Sequence, residues 1–119
     1  MPSYFEMRIQ YKPLSVNLAW QGKRFKTPAY KKYEHDILLL LPVIKVDKIE
    51  KLKISFVFGF SNIQSDIDNP VKLLIDIFQK KYKFNDSHVW EISLRKEKVD
   101  IGKEFIDFTI ENLSAVAQN

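Results

Sequence analysis

Residues 51–60 read KLKISFVFGF, with Leu52, Ile54, Phe56, Phe58 and Phe60 apolar at every second position. Successive side chains of a strand point to opposite faces, so this alternation predicts a strand with one buried face. A buried strand face needs a second apolar layer to lie against. The next segment offers one, because Val71, Leu74, Ile75, Phe78 and Tyr82 recur at helical spacing. Asn69 suits the N-cap of that helix and Pro70 its first residue.

The flanking segments extend the pattern. Phe5, Met7, Ile9 and Tyr11 alternate with Glu6, Arg8, Gln10 and Lys12, which predicts a first strand. Residues 12–26 read as a long loop. Thr27 offers an N-cap and Pro28 a first helical position, with Tyr30, Tyr33, Ile37, Leu40 and Leu41 at helical spacing and Pro42 as the stop. Two further strands carry Trp90, Ile92 and Leu94, then Ile106, Phe108 and Ile110, with a turn around Asp100, Ile101 and Gly102. The expected fold is α/β (α+β), in the order β-α-β-α-β-β. It is a single mixed sheet with two helices packed on one face, forming one domain over residues 1–119. A homodimer is one way to cover the other face.

Composition narrows the chemistry. Apolar residues make up 45%, too many for a disordered chain. There is no cysteine, which excludes disulfides, thiolate zinc sites and thiol catalysis and suits a reducing cytoplasm. The two histidines, His35 and His88, have no zinc-ligand spacing, and the three glycines make no phosphate loop. The longest apolar run, residues 37–44, contains Pro42 and is too short to span a bilayer, and the start of the chain has no signal-peptide pattern. A cytoplasmic protein without membrane partners is expected. The net charge is +4, and Lys23, Arg24, Lys26, Lys31 and Lys32 cluster with no acid among them. Trp20, Phe25, Tyr30 and Tyr33 are interleaved. Such a run either tracks a polyanion or is a solvated loop whose aromatics enter the core.

The stretch SDIDNPVKLLID, residues 65–76, gathers three aspartates and a lysine at a helix start. In extended chain Asp66 and Asp68 point the same way, and Lys72 and Asp76 share a helix face. Asp86, in the connection to the next strand, is expected to return near them. Three such carboxylates suit Mg²⁺, which prefers oxygen ligands and keeps several waters, and Lys72 suits a phosphate oxygen. Acids at a helix start also stabilise the macrodipole by about 0.3–1 kcal/mol, and Lys72 with Asp76 also makes an ordinary surface pair. The spacing accommodates both readings.

The segment DIDNPVKLLIDIFQKKYKFNDSHV resembles the RusA family of Holliday junction resolvases, small bacterial and prophage endonucleases with a D-x-D-N-x-x-K-x-x-x-D stretch. Asp66, Asp68, Asn69, Lys72 and Asp76 stand in that register. Tyr82, Asp86 and Val89 match the family's later acidic segment, and KPLSVNLAWQGKRFKTPAY resembles its opening, in which a Pro and a Ser-x-Asn precede a basic loop. The resemblance implies a homodimeric endodeoxyribonuclease that resolves four-way or other branched DNA by paired symmetric nicks, within the nucleoid of a bacterial host. It implies Mg²⁺, with Mn²⁺ as a substitute, held by Asp66, Asp68 and Asp86, with Lys72 assisting and Asp76 and Asn69 in supporting positions. DNA contacts fall to Asn17, Lys23, Arg24, Lys26, Lys31 and Lys32. Asn85 stands where the family often has a second acid.

Two other readings fit the same residues. A non-catalytic module that binds DNA junctions would need the basic loop but not the acids. A small nucleotidyltransferase would use the Asp-x-Asp pair, but here no Gly-Ser turn precedes it, since Gly59 is followed by Phe60.

Overall fold

The computed structural model describes residues 4–21, 25–43 and 51–113. The first strand, β1, is Tyr4–Ile9. After a single 3-10 turn at Val16–Leu18, two very short strands, β2 (Trp20–Gln21) and β3 (Phe25–Lys26), pair antiparallel. The segment expected to be loop throughout therefore contains a small ribbon. Helix α1 is Pro28–Leu40; the Thr27 side chain accepts from the Tyr30 N–H, and Leu41 caps the other end just before Pro42. β4 is Leu52–Phe60, α2 is Val71–Tyr82, β5 is Val89–Lys98 and β6 is Phe105–Asn112.

The main sheet is mixed, with strand order β1-β6-β4-β5. β4 and β5 are parallel and joined by α2, while β6 pairs antiparallel with both β1 and β4. The alternating residues of β4 face the helices. Leu52, Ile54, Phe56 and Phe58 are buried there, beside Ile106, Phe108 and Ile110 of β6. Phe78 of α2 packs on Phe56 at 5.9 Å and on Phe108 at 4.7 Å between ring centroids. Tyr30, Tyr33 and Ile37 of α1 join the same core. Both helices thus lie on one face, as the sequence predicts.

The helices are also tied by polar contacts. Lys26 and Lys80 both donate to Glu34, and the Tyr82 hydroxyl donates to the Pro42 carbonyl at 2.9 Å. Burial pushes the Tyr82 phenol up to about 12.

The opposite face is largely polar, with Val57 and Phe105 as apolar residues on it. Phe105 is buried there between Gly59 and the Arg8 guanidinium, which lies 3.8 Å from the ring centroid and bonds Asp107 through both carboxylate oxygens.

Three expectations need correction. Pro70, not Asn69, occupies the N-cap of α2, without a side-chain cap bond. Its carbonyl accepts from the Leu74 N–H, while the Asn69 N–H is turned back to the Asp66 carbonyl. Residues 61–70 form successive turns rather than extended chain, so the two-residue spacing does not align Asp66 with Asp68. The alternation that puts Trp90, Ile92 and Leu94 on one face is broken: β5 is an edge strand, the register skips Trp90 between Val89 and Glu91, and Trp90 and Ile92 are substantially exposed.

Candidate functional site

The parallel pair β4/β5 fixes where the acidic segment sits. Both strands end together: Phe60 pairs with Lys98, and the Val99 N–H donates to the Phe60 carbonyl at 2.9 Å. The chain then turns through residues 61–70 into α2. In open sheets of this kind the crevice beyond the carboxyl ends of parallel strands is the usual ligand position.

Local bonds shape this connection. The Asn62 side chain accepts from the Gln64 N–H at 2.9 Å, an Asx turn, and the Asn62 carbonyl accepts from the Ser65 N–H at 3.1 Å. Lys96, reaching from β5, donates its ammonium to the carbonyls of Ile63 and Ser65 at 3.1 and 3.0 Å. Asp66 and Asp68 are exposed just beyond this clamp. The Asp68 carbonyl accepts from the Val71 N–H, so this acid stands directly at the positive end of the α2 dipole.

A cleft of about 670 Å³ opens beside the connection. One wall is the segment after β1, including Lys12, Pro13, Ser15 and Asn17; a second is the first turns of α1 at Ala29, Lys32 and Tyr33. The third is the acidic connection itself, through Ser61, Gln64, Asp66 and Asn69. Glu104 completes the rim, but its carboxylate is already engaged by the Ser61 hydroxyl and the Gly102 N–H. Hydrogen bonds from its own backbone N–H and from Ser61 hold the Glu104 carboxyl below its ordinary range. Across the cleft, Lys32 and the Tyr11 hydroxyl converge on Asp36 and depress its carboxyl in turn.

The predicted site residues are therefore divided. Asp66, Asn69, Asn17 and Lys32 line one cleft. Asp68 and Lys72 lie at the same end of α2, and Lys72 sits 3.8 Å from Asp76. Asp86 is elsewhere. It begins a 3-10 turn, Asp86–His88, that leads into the start of β5, and its N–H is bonded to the Gln79 side chain near the C-terminus of α2. All of α2, twelve residues and so about 18 Å long, lies between it and Asp66 and Asp68 in the chain. The expectation that Asp86 returns beside them fails within one chain: a parallel strand starts at the sheet end opposite the one where its predecessor finished. Among the described residues no group of three or more acids or histidines is placed to hold a metal ion.

The basic run is partly neutralised. Lys26 donates to Glu34 at 2.9 Å and Lys32 to Asp36 at 2.6 Å, while Lys31 is exposed. Lys23 and Arg24 lie outside the described residues. Of the interleaved aromatics, Tyr30 and Tyr33 are core residues and Phe25 is exposed. Lys96 and Glu104 belong to no motif in the sequence, yet both reach this connection. The signal that finds Lys96 is the register that sets it opposite Phe58, near the end of β4.

No helix among the described residues is long and apolar enough to cross a membrane. Comparison with protein-family models and with characterised proteins gives no match for this chain.

Proposed function

We propose that the chain is a metal-dependent endodeoxyribonuclease that nicks four-way or other branched DNA as a twofold dimer. One observation carries this reading. The D-x-D-N-x-x-K segment folds as an exposed two-carboxylate turn at the head of a helix, braced by Lys96 and opening on a large cleft.

Mg²⁺ is commonly held by one or two carboxylates with waters and substrate phosphates, so Asp66 and Asp68 suffice for a partial site. A bound divalent cation would supply an activated water and neutralise phosphate charge. The chain's own groups do the rest. Lys72, on the first turn of α2, offers its ammonium to a phosphate oxygen, with Asp76 restraining its position. The N-terminal dipole of α2 favours an anion at the same place.

The third acid must come from elsewhere, because Asp86 is a helix length away in its own chain. A twofold dimer brings each protomer's Asp86 end towards its partner's Asp66 end when the two molecules run in opposite directions. It also presents two equivalent sites to a twofold substrate. The deciding experiment is incubation with a synthetic immobile junction, with and without Mg²⁺, mapping nicks on all four strands. Paired nicks on opposing strands support the reading; intact strands under Mg²⁺ and Mn²⁺ reject it.

The separation of Asp86 also favours a second reading, a junction-binding module without catalysis. The two part on Asp68→Asn. A nuclease loses cutting while keeping or strengthening binding, since a repulsive charge is removed. A binding module has no cutting to lose.

A further inference from the structure

The cleft is far larger than a hydrated cation needs, and its lining is of two kinds. Pro13, Leu14, Leu18, Tyr33, Phe60 and Pro70 supply apolar surface. The amides of Asn17, Asn62, Gln64 and Asn69 and the hydroxyls of Ser15 and Ser65 supply both donors and acceptors. Lys12 stands on the wall that follows β1, Lys32, paired with Asp36, on that of α1, and Asp66 on the third. An occupant matched to this lining is flat and partly apolar, hydrogen-bonds along its edge and carries an anionic group. Its size is that of a small organic ligand, for which clefts of about 300–1,000 Å³ are usual.

A nucleotide swung out of a helix has these properties: a π-face, an edge of donors and acceptors, and a phosphate. Tyr33, 3% exposed, closes the floor of the cleft, with its hydroxyl turned to the Leu14 backbone.

We propose that the cleft takes one extrahelical nucleotide of branched DNA and thereby sets which phosphate meets Asp66. This inference rests on the nuclease reading for its purpose but not for its test. Unpaired or strained nucleotides at a branch point cost least to extrude, so such a cleft would select branched DNA over plain duplex without reading sequence.

The test places 2-aminopurine at each branch-point position of a four-way junction in turn and follows its emission on adding protein in EDTA. A rise at one position, absent for plain duplex and abolished in Ala29→Trp, is the expected result. Ala29 is exposed on the first turn of α1 and lines the cleft, so the indole fills the space from the wall of α1. Asn17→Trp fills it from the opposite wall should Ala29→Trp not fold. Flat emission at every position, with normal cutting by both tryptophan variants, overturns the inference and leaves the nuclease reading standing. A position-specific rise with no cutting under any divalent metal supports the nucleotide cleft and removes the nuclease.

Discussion

The ammonium of Lys96 lies 3.0 Å from the carbonyl oxygen of Ser65, the residue before Asp66, and 3.1 Å from that of Ile63. The edge strand of the sheet thus holds the acidic turn from below. Between its two ends, where Phe60 is bonded by Val99 and Pro70 by Leu74, the turn is otherwise fixed by bonds internal to residues 62–71 and by the Ser61 side chain.

Removing this clamp should loosen the acids without unfolding the domain. Both bonds are exposed to solvent and are worth about 0.5–1.5 kcal/mol each, so Lys96→Met is expected to weaken divalent-metal binding by about tenfold. Hydrogen exchange should rise at residues 63–69, with the melting temperature nearly unchanged. Lys96→Arg, which keeps the donors, should recover most of the affinity. Calorimetric titration with Mn²⁺ and exchange mass spectrometry measure the two effects.

On the other face of the sheet the fit is tight. A Cβ added at Gly59 would lie 2.3 Å from Cδ2 of Phe105, and the ring cannot simply move away because Arg8 covers it. Gly59→Ala should cost about 1–3 kcal/mol in urea unfolding, as overpacked sites do. In the double variant with Phe105→Ala the two costs should fall short of their sum, because one relieves the clash made by the other.

Much of this architecture is legible in the sequence, and the failures have physical causes. The alternation of β4 and the apolar face of α2 determine a strand and a helix whatever surrounds them, and Thr27 and Pro42 mark the ends of α1. The ribbon of β2 and β3 is two residues per strand, too short to show any period. Alternation in β5 cannot distinguish an edge strand from a central one, nor does it show the irregularity that takes Trp90 out of register with β4. The position of Asp86 was readable from the crossover alone. A helix between parallel strands carries the chain back to the starting end of the sheet, away from the acids that precede it.

Glu34 makes stability depend on pH. Burial alone would raise its carboxyl, but hydrogen bonds from Lys26 and Lys80 outweigh this and leave it below its ordinary value. A carboxylate depressed in the folded state contributes stability above its unfolded value and loses it as pH falls through the folded one. Stability should therefore hold from neutral pH down to about 4.3, the unfolded carboxylate value, and then decline. Glu34→Gln should be less stable at neutral pH, where two ammonium groups lose their shared partner, and should show a shallower acid decline. Thermal melts from pH 3 to pH 7 check both, with pH as the only variable.

Tyr33 offers a substitution that should stabilise. Its hydroxyl is buried against the Leu14 backbone without a well-formed hydrogen bond, while its ring packs against Tyr11 at 5.7 Å between centroids. An unsatisfied buried hydroxyl costs about 1–3 kcal/mol, and phenylalanine keeps the ring. Tyr33→Phe is expected to raise the unfolding free energy by about 1 kcal/mol, measured as a shift of the urea midpoint at constant slope.

The sharpest prediction concerns Asp86. Asp68→Asn and Asp86→Asn should each abolish junction cutting alone. If the three acids meet only across a dimer axis, mixing the two inactive proteins restores activity. In the mixed dimer one site combines both lesions, while the other joins an intact Asp66 and Asp68 from one protomer to an intact Asp86 from its partner. Half of a random mixture is such dimers, each with one working site. The mixture should therefore nick single strands without the paired second cut, and a junction assay on native gels separates the two products. If each protomer had to supply all three acids itself, every site in the mixture would carry a lesion and the junction would stay whole. Asp86→Asn protein that cuts normally by itself would remove this residue from the site altogether, leaving Asp66 and Asp68 as its only carboxylates.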